Sequence, residues 1–278
     1  MAKIKTDKLL ISEMFFSVQG EGKTTGYPSV FMRLTNCNLS CGFSPKYVND
    51  YKKSPHAGNE SGILVGDLVE HNLANWCCDT MPVWIKGREY EFQDIIDDWE
   101  KEKIYDDICS GLIHIIWTGG EPTIPGHQES IVNFTNHFSN YAIDHVFRPF
   151  YEIETNGTIY IDQTLFEYLD QINCSPKLSN SGMAKNQRII PKAIERIMEH
   201  RNYQFKFVIS NEDDIFEMFD TYINPFKIPL KNVCCMPGLD HQDQFNERTR
   251  WVLEMAKKYK FIGLTRLHVA AWGQTTGV

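Results

Sequence analysis

The sequence predicts an α/β protein built on a parallel sheet, folded either as a partial (β/α) barrel or as an open sheet. Short apolar runs rich in β-branched residues recur along the chain, and helical patterns separate most of them. Alternation of this kind is typical of βα units, whose strands pair in parallel. About six or seven units are too few to close an eight-stranded barrel. A partial barrel or an open sheet therefore fits the 278 residues.

The individual elements follow from local patterns. The predicted strands are, in chain order, 29–34, 113–118, 150–155, 171–175, 205–210, 232–236 and 265–269. The clearest helical patterns are at 92–105, 128–139, 190–200, 213–222 and 243–259. The last helix has Trp251, Val252 and Met255 on one face and charged residues on the other, which is the pattern of a helix packed on a core.

One segment interrupts the alternation of strands and helices. The first half of residues 42–77 is polar and rich in turn residues, and the stretch around Ile63 to Leu73 is compatible with a short helix. A long connection without strong structure is usually functional or mobile. We therefore expect a single domain over residues 1–278 with an insertion at about 42–77, whose role the sequence leaves open.

Composition and charge limit the partners of this chain. The formal net charge is −8, which repels phosphate backbones, so no nucleic-acid partner is expected. No apolar run approaches the length that spans a bilayer, so no membrane partner is expected either. The first 22 residues have no apolar stretch followed by small residues, unlike a signal peptide. The expected compartment is the cytoplasm.

Eight cysteines are candidates for metal ligands and buried thiols, the two roles favoured in a cytosolic chain of this size. Cys37 and Cys41 lie just after the first predicted strand, and Cys78 begins the tripeptide Cys78-Asp79-Thr80. If the three thiolates meet in space, three sulfur ligands on a four-iron cluster leave one iron open to a substrate. Spacing alone equally allows a zinc site or no site at all.

Further short motifs each end a predicted strand. They are Gly119-Gly120-Glu121-Pro122, Glu154-Thr155-Asn156-Gly157, Ser175-Pro176-Lys177 and Met236-Pro237-Gly238. Each one taken singly is compatible with ordinary turn chemistry, although two consecutive glycines also let backbone approach a ligand closely. Active sites of barrels built from βα units lie at the carboxyl ends of the strands. The coincidence of four motifs at that edge therefore indicates a binding site.

The motifs together resemble the 7-carboxy-7-deazaguanine synthases, a family of radical S-adenosylmethionine (SAM) enzymes. The resemblance rests on QGEGKTTGYPSVFMRLTNCNLSC (19–41), CDT (78–80), WTGGEP (117–122), YEIETNGT (151–158), SPKLS (175–179), MPG (236–238) and LHVAAWGQTTGV (267–278). Their order and approximate separation are those of the family over nearly the whole chain apart from 42–77. The family usually has the spacing C-x3-C-x2-C, whereas position 44 is Ser here and the third cysteine follows the insertion.

The resemblance implies the partial (β/α)6-type barrel of radical SAM enzymes, together with a [4Fe-4S] cluster, SAM and Mg²⁺. It implies Cys37, Cys41 and Cys78 as cluster ligands, and Thr80 as a ligand of Mg²⁺. Cys77 is the rival for the third place, but Asp79 and Thr80 follow Cys78 directly. The other residues expected at the cofactors are Cys77, Asp79, Gly119, Gly120, Glu121, Glu154, Asn156, Ser175, Pro176, Lys177, Met236 and Pro237.

By the same resemblance, the substrate is a pterin. The residues expected to contact it are Val18, Gln19, Gly20, Glu21, Arg33, Thr118, His268 and Val278. The side chains of Gln19 and Glu21 offer an amide and a carboxylate to an aminopyrimidinone edge. The alternatives are a surface arginine at position 33 and a hydrogen-bonded core histidine at position 268.

The implied reaction is the ring contraction of 6-carboxy-5,6,7,8-tetrahydropterin to 7-carboxy-7-deazaguanine with loss of ammonia. It starts from hydrogen abstraction by the deoxyadenosyl radical that SAM releases. An electron donor such as flavodoxin and a homodimer are the expected partners. Two alternatives remain: an activase that makes a glycyl radical on a partner protein, and a non-catalytic protein that binds zinc or a cluster.

Overall fold

A single nine-stranded sheet organises the computed structural model, which describes residues 6–58, 66–142, 148–238 and 242–273. The strands are β1 (Leu9–Val18), β2 (Pro28–Leu34), β3 (Arg88–Tyr90), β4 (His114–Gly119), β5 (Tyr151–Thr155), β6 (Gln171–Cys174), β7 (Tyr203–Ile209), β8 (Val233–Pro237) and β9 (Ile262–Gly263). Their spatial order is β3-β1-β2-β4-β5-β6-β7-β8-β9. The strands β2, β4, β5, β6, β7, β8 and β9 pair in parallel in this order, whereas β1 is antiparallel to both β2 and β3.

Helices connect the parallel strands. They are α1 (Pro45–Lys52), α2 (Asp67–Glu70), α3 (Met81–Trp84), α4 (Phe92–Lys101), α5 (Tyr105–Cys109), α6 (Pro125–Tyr141), α7 (Gln163–Tyr168), α8 (Lys185–Arg188), α9 (Pro191–Met198), α10 (Glu212–Met218), α11 (Asn224–Phe226), α12 (Phe245–Tyr259) and α13 (Leu267–Trp272). The alternation of strands and helices confirms the predicted α/β class with a parallel sheet. Within the described ranges, no helix combines the length and the apolarity that crossing a bilayer requires.

The two faces of the sheet differ in polarity. Because successive side chains of a strand point to opposite faces, Ile153, Ile172 and Phe205 lie on one face, where they are fully buried in the main hydrophobic core. The residues that alternate with them are polar, and we call their side the inner face. It is formed by Glu152, Glu154, Asn173, Gln204 and Lys206 of β5, β6 and β7.

Six predicted strands are confirmed to within two residues at either end, and one is wrong. Residues 265–269 do not form a strand, because α13 begins at Leu267. The backbone N–H of Leu267 donates to the carbonyl of Gly20 at 2.9 Å, which draws this segment across the carboxyl edge of the sheet. The short strand β9 at Ile262 pairs with β8 instead.

The structure also has a long strand that the sequence patterns did not predict. Strand β1 is antiparallel to β2, and the rings of Phe15 and Phe31 stack across this pair with centroids 5.0 Å apart. The local signal was weak because β1 does not alternate strictly between apolar and polar residues, and most of its positions are only partly buried.

The segment 42–77 contains more structure than its composition indicates. Helix α1 is capped by Ser44, whose hydroxyl oxygen accepts a hydrogen bond from the N–H of Tyr47 at 3.2 Å. The N–H of Ser44 donates to Asp67 at 2.7 Å and so ties α1 to α2. The expected short helix is present as α2, in the part of 63–73 that the structure describes. The assignment of a single domain with an insertion stays a prediction.

Candidate active site

The ends of segment 42–77 meet, and this contact brings three cysteines together. The N–H of Cys78 donates to the carbonyl of Cys41 at 3.0 Å. Cys37, Cys41 and Cys78 share contacts with the small apolar cluster around Leu39 and Trp76. The chain therefore passes from Cys41 to Cys78 almost as if the intervening residues were absent.

Burial keeps the thiols of Cys37 and Cys41 protonated. Burial, together with the nearby carboxylate of Glu121, raises the pKa of Cys37 well above its usual value. Burial also raises the pKa of Cys41 to about 12, although the ammonium of Lys177 acts in the opposite direction. Charge repulsion from Cys78 contributes to both shifts. A group that binds the sulfurs of Cys37 and Cys41 must therefore displace their protons as it binds.

The donor set consists of three cysteine sulfurs, which are ligands that iron–sulfur clusters take. In the parts of the chain that the structure describes, no group of three His, Cys, Asp or Glu side chains is arranged to hold one metal ion. Each cysteine of a four-iron cluster binds a different iron, so its sulfurs stand further apart than those around one zinc ion. Three cysteine ligands on a four-iron cluster would leave one iron without a protein ligand.

Cys77 lies beside this group but packs differently. It contacts the apolar cluster formed by Phe43, Met81 and Trp84, and its backbone presses against Gly42. A Cβ atom on Gly42 would lie 2.4 Å from the Cα of Cys77. Only Cys78, of the two neighbours, also packs in the cluster of Leu39 that Cys37 and Cys41 share.

Gly119, the last residue of β4, and Gly120, the next residue, allow two loops to lie in close contact. A Cβ atom at Gly119 would lie 2.1 Å from the carbonyl oxygen of Leu34, and one at Gly120 would lie 1.8 Å from that of Asn36. The N–H of Gly120 donates to Leu34 at 3.0 Å, and that of Glu121 donates to Asn36 at 2.8 Å. The glycines thus place the loop after β4 directly against the chain that leads to Cys37.

Glu121 is a structural link between loops. Its side chain is fully buried, and its carboxylate accepts hydrogen bonds from the N–H and hydroxyl of Thr123, from the hydroxyl of Thr155 and from the N–H of Asn156. Burial raises the pKa of Glu121, although these hydrogen bonds counteract the shift. Four protein donors already occupy the carboxylate, so it holds the ends of β4 and β5 together.

The motif after β5 also reaches the cysteines. The side-chain amide of Asn156 donates to Asn38 at 2.9 Å and lies 3.9 Å from the sulfur of Cys37. The side-chain oxygen of Asn156 accepts from the N–H and hydroxyl of Thr158. These contacts place Asn156 at the edge of the three-cysteine group.

Lys177 and the end of β8 meet around Trp76. The ammonium of Lys177 donates to the hydroxyl of Ser175 at 3.0 Å and lies 5.5 Å from the ring centroid of Trp76. Pro176 is buried between Ser175 and Lys177, and Met236 and Pro237 are buried at the end of β8. Trp76 belongs to the insertion, and the sequence motifs did not indicate it as a residue of this site. Its indole N–H donates to Asn180 at 3.0 Å.

Five charged side chains of alternating sign form what we call the charge chain, which crosses the carboxyl edge of the sheet. Its members are Glu154, Lys206, Glu21, Arg266 and Asp79 in that order. The successive N–O distances are 2.6, 3.2, 2.9 and 2.9 Å. Lys206, whose side chain is 2% exposed, and Arg266 were both missed by the motif analysis.

The ion pairs of the charge chain oppose the effect of burial on the pKa values of its members. Burial alone would raise the pKa of Glu21, but Lys206 and Arg266 outweigh it and hold the pKa well below its usual range. The two carboxylates likewise raise the pKa of Lys206, although burial opposes them. For Glu154, burial prevails over the attraction of Lys206, so its pKa is raised.

Two of the predicted substrate residues, Gln19 and His268, lie beside the charge chain. Gln19 is buried, donates to Glu154 at 3.1 Å and accepts from the N–H of Glu21 at 3.1 Å. His268 lies against Gly20, and burial lowers the pKa of its imidazole despite the neighbouring Glu21.

The other residues lie at strand ends or have protein partners. Val18 and Thr118 end or nearly end β1 and β4. Arg33 is not a free surface residue, because its Nε–H donates to Glu13 at 2.7 Å. The hydroxyl of Thr80 lies 3.3 Å from the sulfur of Cys78. Val278 lies outside the described residues.

A pattern in the sequence could have identified the missed inner-face residues. In YEIET, QINC and YQFKFVI, polar residues occupy every second position within otherwise apolar strands. Such alternation places Glu152, Glu154, Asn173, Gln204 and Lys206 on one face of the sheet. So many polar residues in buried strands indicate that this face of the sheet borders a polar interior. Arg266 had no comparable signal, because its segment was interpreted as a strand.

Comparisons with known proteins agree on one family. No protein-family model matches the chain. The 7-carboxy-7-deazaguanine synthase of Pyrobaculum aerophilum is 29% identical over 280 residues, which cover 98% of both chains. That of Halobacterium salinarum is 26% identical and covers 95% of this chain and 90% of the relative. The crystal structure of QueE from Escherichia coli superposes with a TM-score of 0.55 at 21% identity over 92% of both chains, which shows a common fold.

The similarity to these proteins extends along almost the entire length of the chain. It agrees with two earlier observations: the order of the motifs, and the parallel sheet with polar residues on one face. The chain is therefore similar, over almost its whole length, to the 7-carboxy-7-deazaguanine synthases, which are radical SAM enzymes.

Proposed function

We propose that this protein is a radical SAM lyase that converts 6-carboxy-5,6,7,8-tetrahydropterin to 7-carboxy-7-deazaguanine with loss of ammonia. The observation that carries the proposal is the nearly full-length similarity to synthases of this activity. The grouping of Cys37, Cys41 and Cys78 beside a polar inner face supports it, because the reaction needs a cluster next to a substrate cavity. The product belongs to 7-deazapurine biosynthesis, which includes queuosine biosynthesis.

Cys37, Cys41 and Cys78 are the proposed ligands of a [4Fe-4S] cluster, and Cys78 is preferred to Cys77 because of its packing with the other two. When bound, the cluster and SAM supply the radical that removes a hydrogen atom from the substrate. The chain itself provides three cysteine sulfurs, of which that of Cys41 is buried and those of Cys37 and Cys78 are half-buried, and the nearby amide of Asn156.

The loops around the cysteines are the proposed SAM site. Gly119 and Gly120 hold the loop after β4 in place, and Glu121 locks it to the loop after β5. Lys177 presents an ammonium near the cysteines, where it suits the carboxylate of SAM. Met236 and Pro237 offer an apolar surface for the adenine at the end of β8.

The substrate is proposed to lie against the charge chain. At an aminopyrimidinone edge, the amide of Gln19 donates and accepts hydrogen bonds, and the ionised carboxylate of Glu21 accepts them. Thr80, next to Cys78, is the proposed oxygen ligand of Mg²⁺, which would also bind the substrate carboxylate. Arg33, Thr118, His268 and the C-terminal Val278 are proposed as further contacts, as are Val18 and Gly20 along the ring. With no protein nucleophile in this scheme, positioning is the contribution of the protein.

The test is anaerobic reconstitution of the cluster followed by incubation with reductant, SAM, Mg²⁺ and the carboxytetrahydropterin. The expected product is 7-carboxy-7-deazaguanine, with formation that depends on SAM and Mg²⁺. A protein with a full cluster that cleaves SAM and yields no deazapurine would rule out the proposed substrate. Iron and sulfide analysis of the same sample distinguishes this result from a failed reconstitution.

A flavodoxin-like electron donor, a homodimer and a cytoplasmic location complete the proposal. Thiols that stay reduced are compatible with that compartment, and all eight cysteines are free in the structure. The activase alternative predicts hydrogen abstraction only with a partner protein, and the zinc alternative predicts zinc without iron. The similarity to the synthases favours neither of them.

A further inference from the structure

One member of the charge chain has no role in the function proposed so far. The Nε–H of Arg266 donates to Glu21 at 2.9 Å, and its terminal NH2 group donates to Asp79 at 2.9 Å. The side chain of Arg266 is only 19% exposed. A single guanidinium thus joins two carboxylates from segments that lie far apart in the sequence.

Both partners belong to parts of the proposed site that must keep a fixed position relative to each other. Glu21 is in the loop that carries the pterin contacts, and Asp79 stands between the cluster ligand Cys78 and the Mg²⁺ ligand Thr80. The loop of Glu21 has a second anchor, because Lys206 also pairs with Glu21 at 3.2 Å. The side chain of Asp79 is 61% exposed and has Arg266 as its ion-pair partner. The segment 78–80 therefore depends more on Arg266 than the loop of Glu21 does.

We propose that Arg266 is a positioning residue that fixes the segment Cys78–Thr80 against the substrate loop, and so places the Mg²⁺ ligand relative to the pterin contacts. The inference rests on the proposed function. The planar guanidinium suits this task because its Nε–H and NH2 groups point to two different acceptors in a fixed geometry. A lysine carries a single ammonium and holds such a pair less well.

The first measurement uses the reconstituted enzyme with Arg266→Gln, Arg266→Lys and the control Arg201→Gln, whose side chain is 72% exposed in its pair with Asp170. For Arg266→Gln, we expect the Mg²⁺ concentration for half-maximal product formation to rise about tenfold, as for loss of a charged hydrogen bond. SAM cleavage per product formed should also rise, whereas iron content should not change. Arg266→Lys should be intermediate, and the control should behave as the wild type.

The second measurement needs no cofactor. Amide hydrogen exchange of the unloaded protein should be faster in residues 78–81 of Arg266→Gln than in the wild type, and unchanged there in Arg201→Gln. If Arg266→Gln does not fold, Asp79→Asn removes the same ion pair at an exposed position and should give the same two results.

The outcomes separate this inference from the proposed function. A wild type that forms no deazapurine would refute the function, and the exchange measurement would still decide whether Arg266 holds the segment 78–81. Suppose instead that the wild type forms product, and that Arg266→Gln has a normal Mg²⁺ requirement or normal exchange in residues 78–81. This result would refute the inference and leave the proposed function standing.

Discussion

Individual residues decide whether the proposed cluster can form, and the choice between Cys77 and Cys78 is the first of these decisions. Cys78 packs in the apolar cluster that Cys37 and Cys41 share, whereas Cys77 packs towards Phe43. We expect Cys78→Ala to lose most of the iron and sulfide after anaerobic reconstitution and Cys77→Ala to retain most of it. Metal analysis and the visible spectrum measure this difference, and the reverse result would make Cys77 the third ligand.

Glu121 gives a second prediction at this scale. Its carboxylate accepts four hydrogen bonds, and a glutamine at this position would turn an amide donor towards N–H and hydroxyl donors. Glu121→Gln should therefore destabilise the protein without SAM or cluster by about 1–3 kcal/mol. Urea unfolding of the unloaded variant measures the effect. An unloaded variant as stable as the wild type would instead favour a direct role of Glu121 at SAM.

At the scale of elements, the closure of segment 42–77 is maintained by Gly42. Gly42 has a φ of +79°, and a side chain there would meet the backbone of Cys77. Gly42→Ala should therefore displace Cys77 and Cys78 and lower the iron content after reconstitution. Gly26→Ala is a matched control, because Gly26 has a φ of +93° with open space around it. Equal iron loss in both variants would attribute the effect to backbone strain alone.

The elements also show how far sequence reasoning reached. Strands β2 and β4 to β8 were predictable because each is a short apolar run between turn residues. Residues 265–269 carry the same local pattern, but a contact with Gly20, more than 240 residues away, makes them part of a helical segment. The strand-end motifs pointed correctly to one edge of the sheet. The partners of Arg266 are set by tertiary contacts, which no local pattern encodes.

At the scale of the whole molecule, the interior combines an apolar core on one face of the sheet with ionised groups on the other. Lys206→Met would remove the cation that Glu21 and Glu154 share and leave buried carboxylates behind. We expect a loss of about 3–5 kcal/mol in the free energy of unfolding at pH 7. Lys258→Met, which breaks an exposed pair with Glu212, should have a much smaller effect on the free energy of unfolding.

The cost of Lys206→Met should depend on pH. Lys206 and Arg266 hold the pKa of Glu21 below that of a free glutamate, so the ionised carboxylate stabilises the fold above about pH 4.3. This contribution is lost as the pH falls through the lower folded-state pKa. In the variant Glu21 keeps its pair with Arg266, whereas Glu154 loses the cation of Lys206 and can relieve its buried charge by taking up a proton, so the deficit should be smaller at pH 5 than at pH 7. Urea unfolding at both values measures the deficit, and a pH-independent deficit would contradict this account.

The contact between Gly42 and Cys77 has an evolutionary consequence. The two backbones stand about as close as those of consecutive residues, since a Cβ on Gly42 would lie 2.4 Å from the Cα of Cys77. Excision of codons 43–76 would leave Cys37, Cys41 and Cys78 in the uninterrupted order C-x3-C-x2-C. A single insertion or deletion in the gene therefore adds or removes this segment while the three cysteines keep the spacing C-x3-C-x2-C.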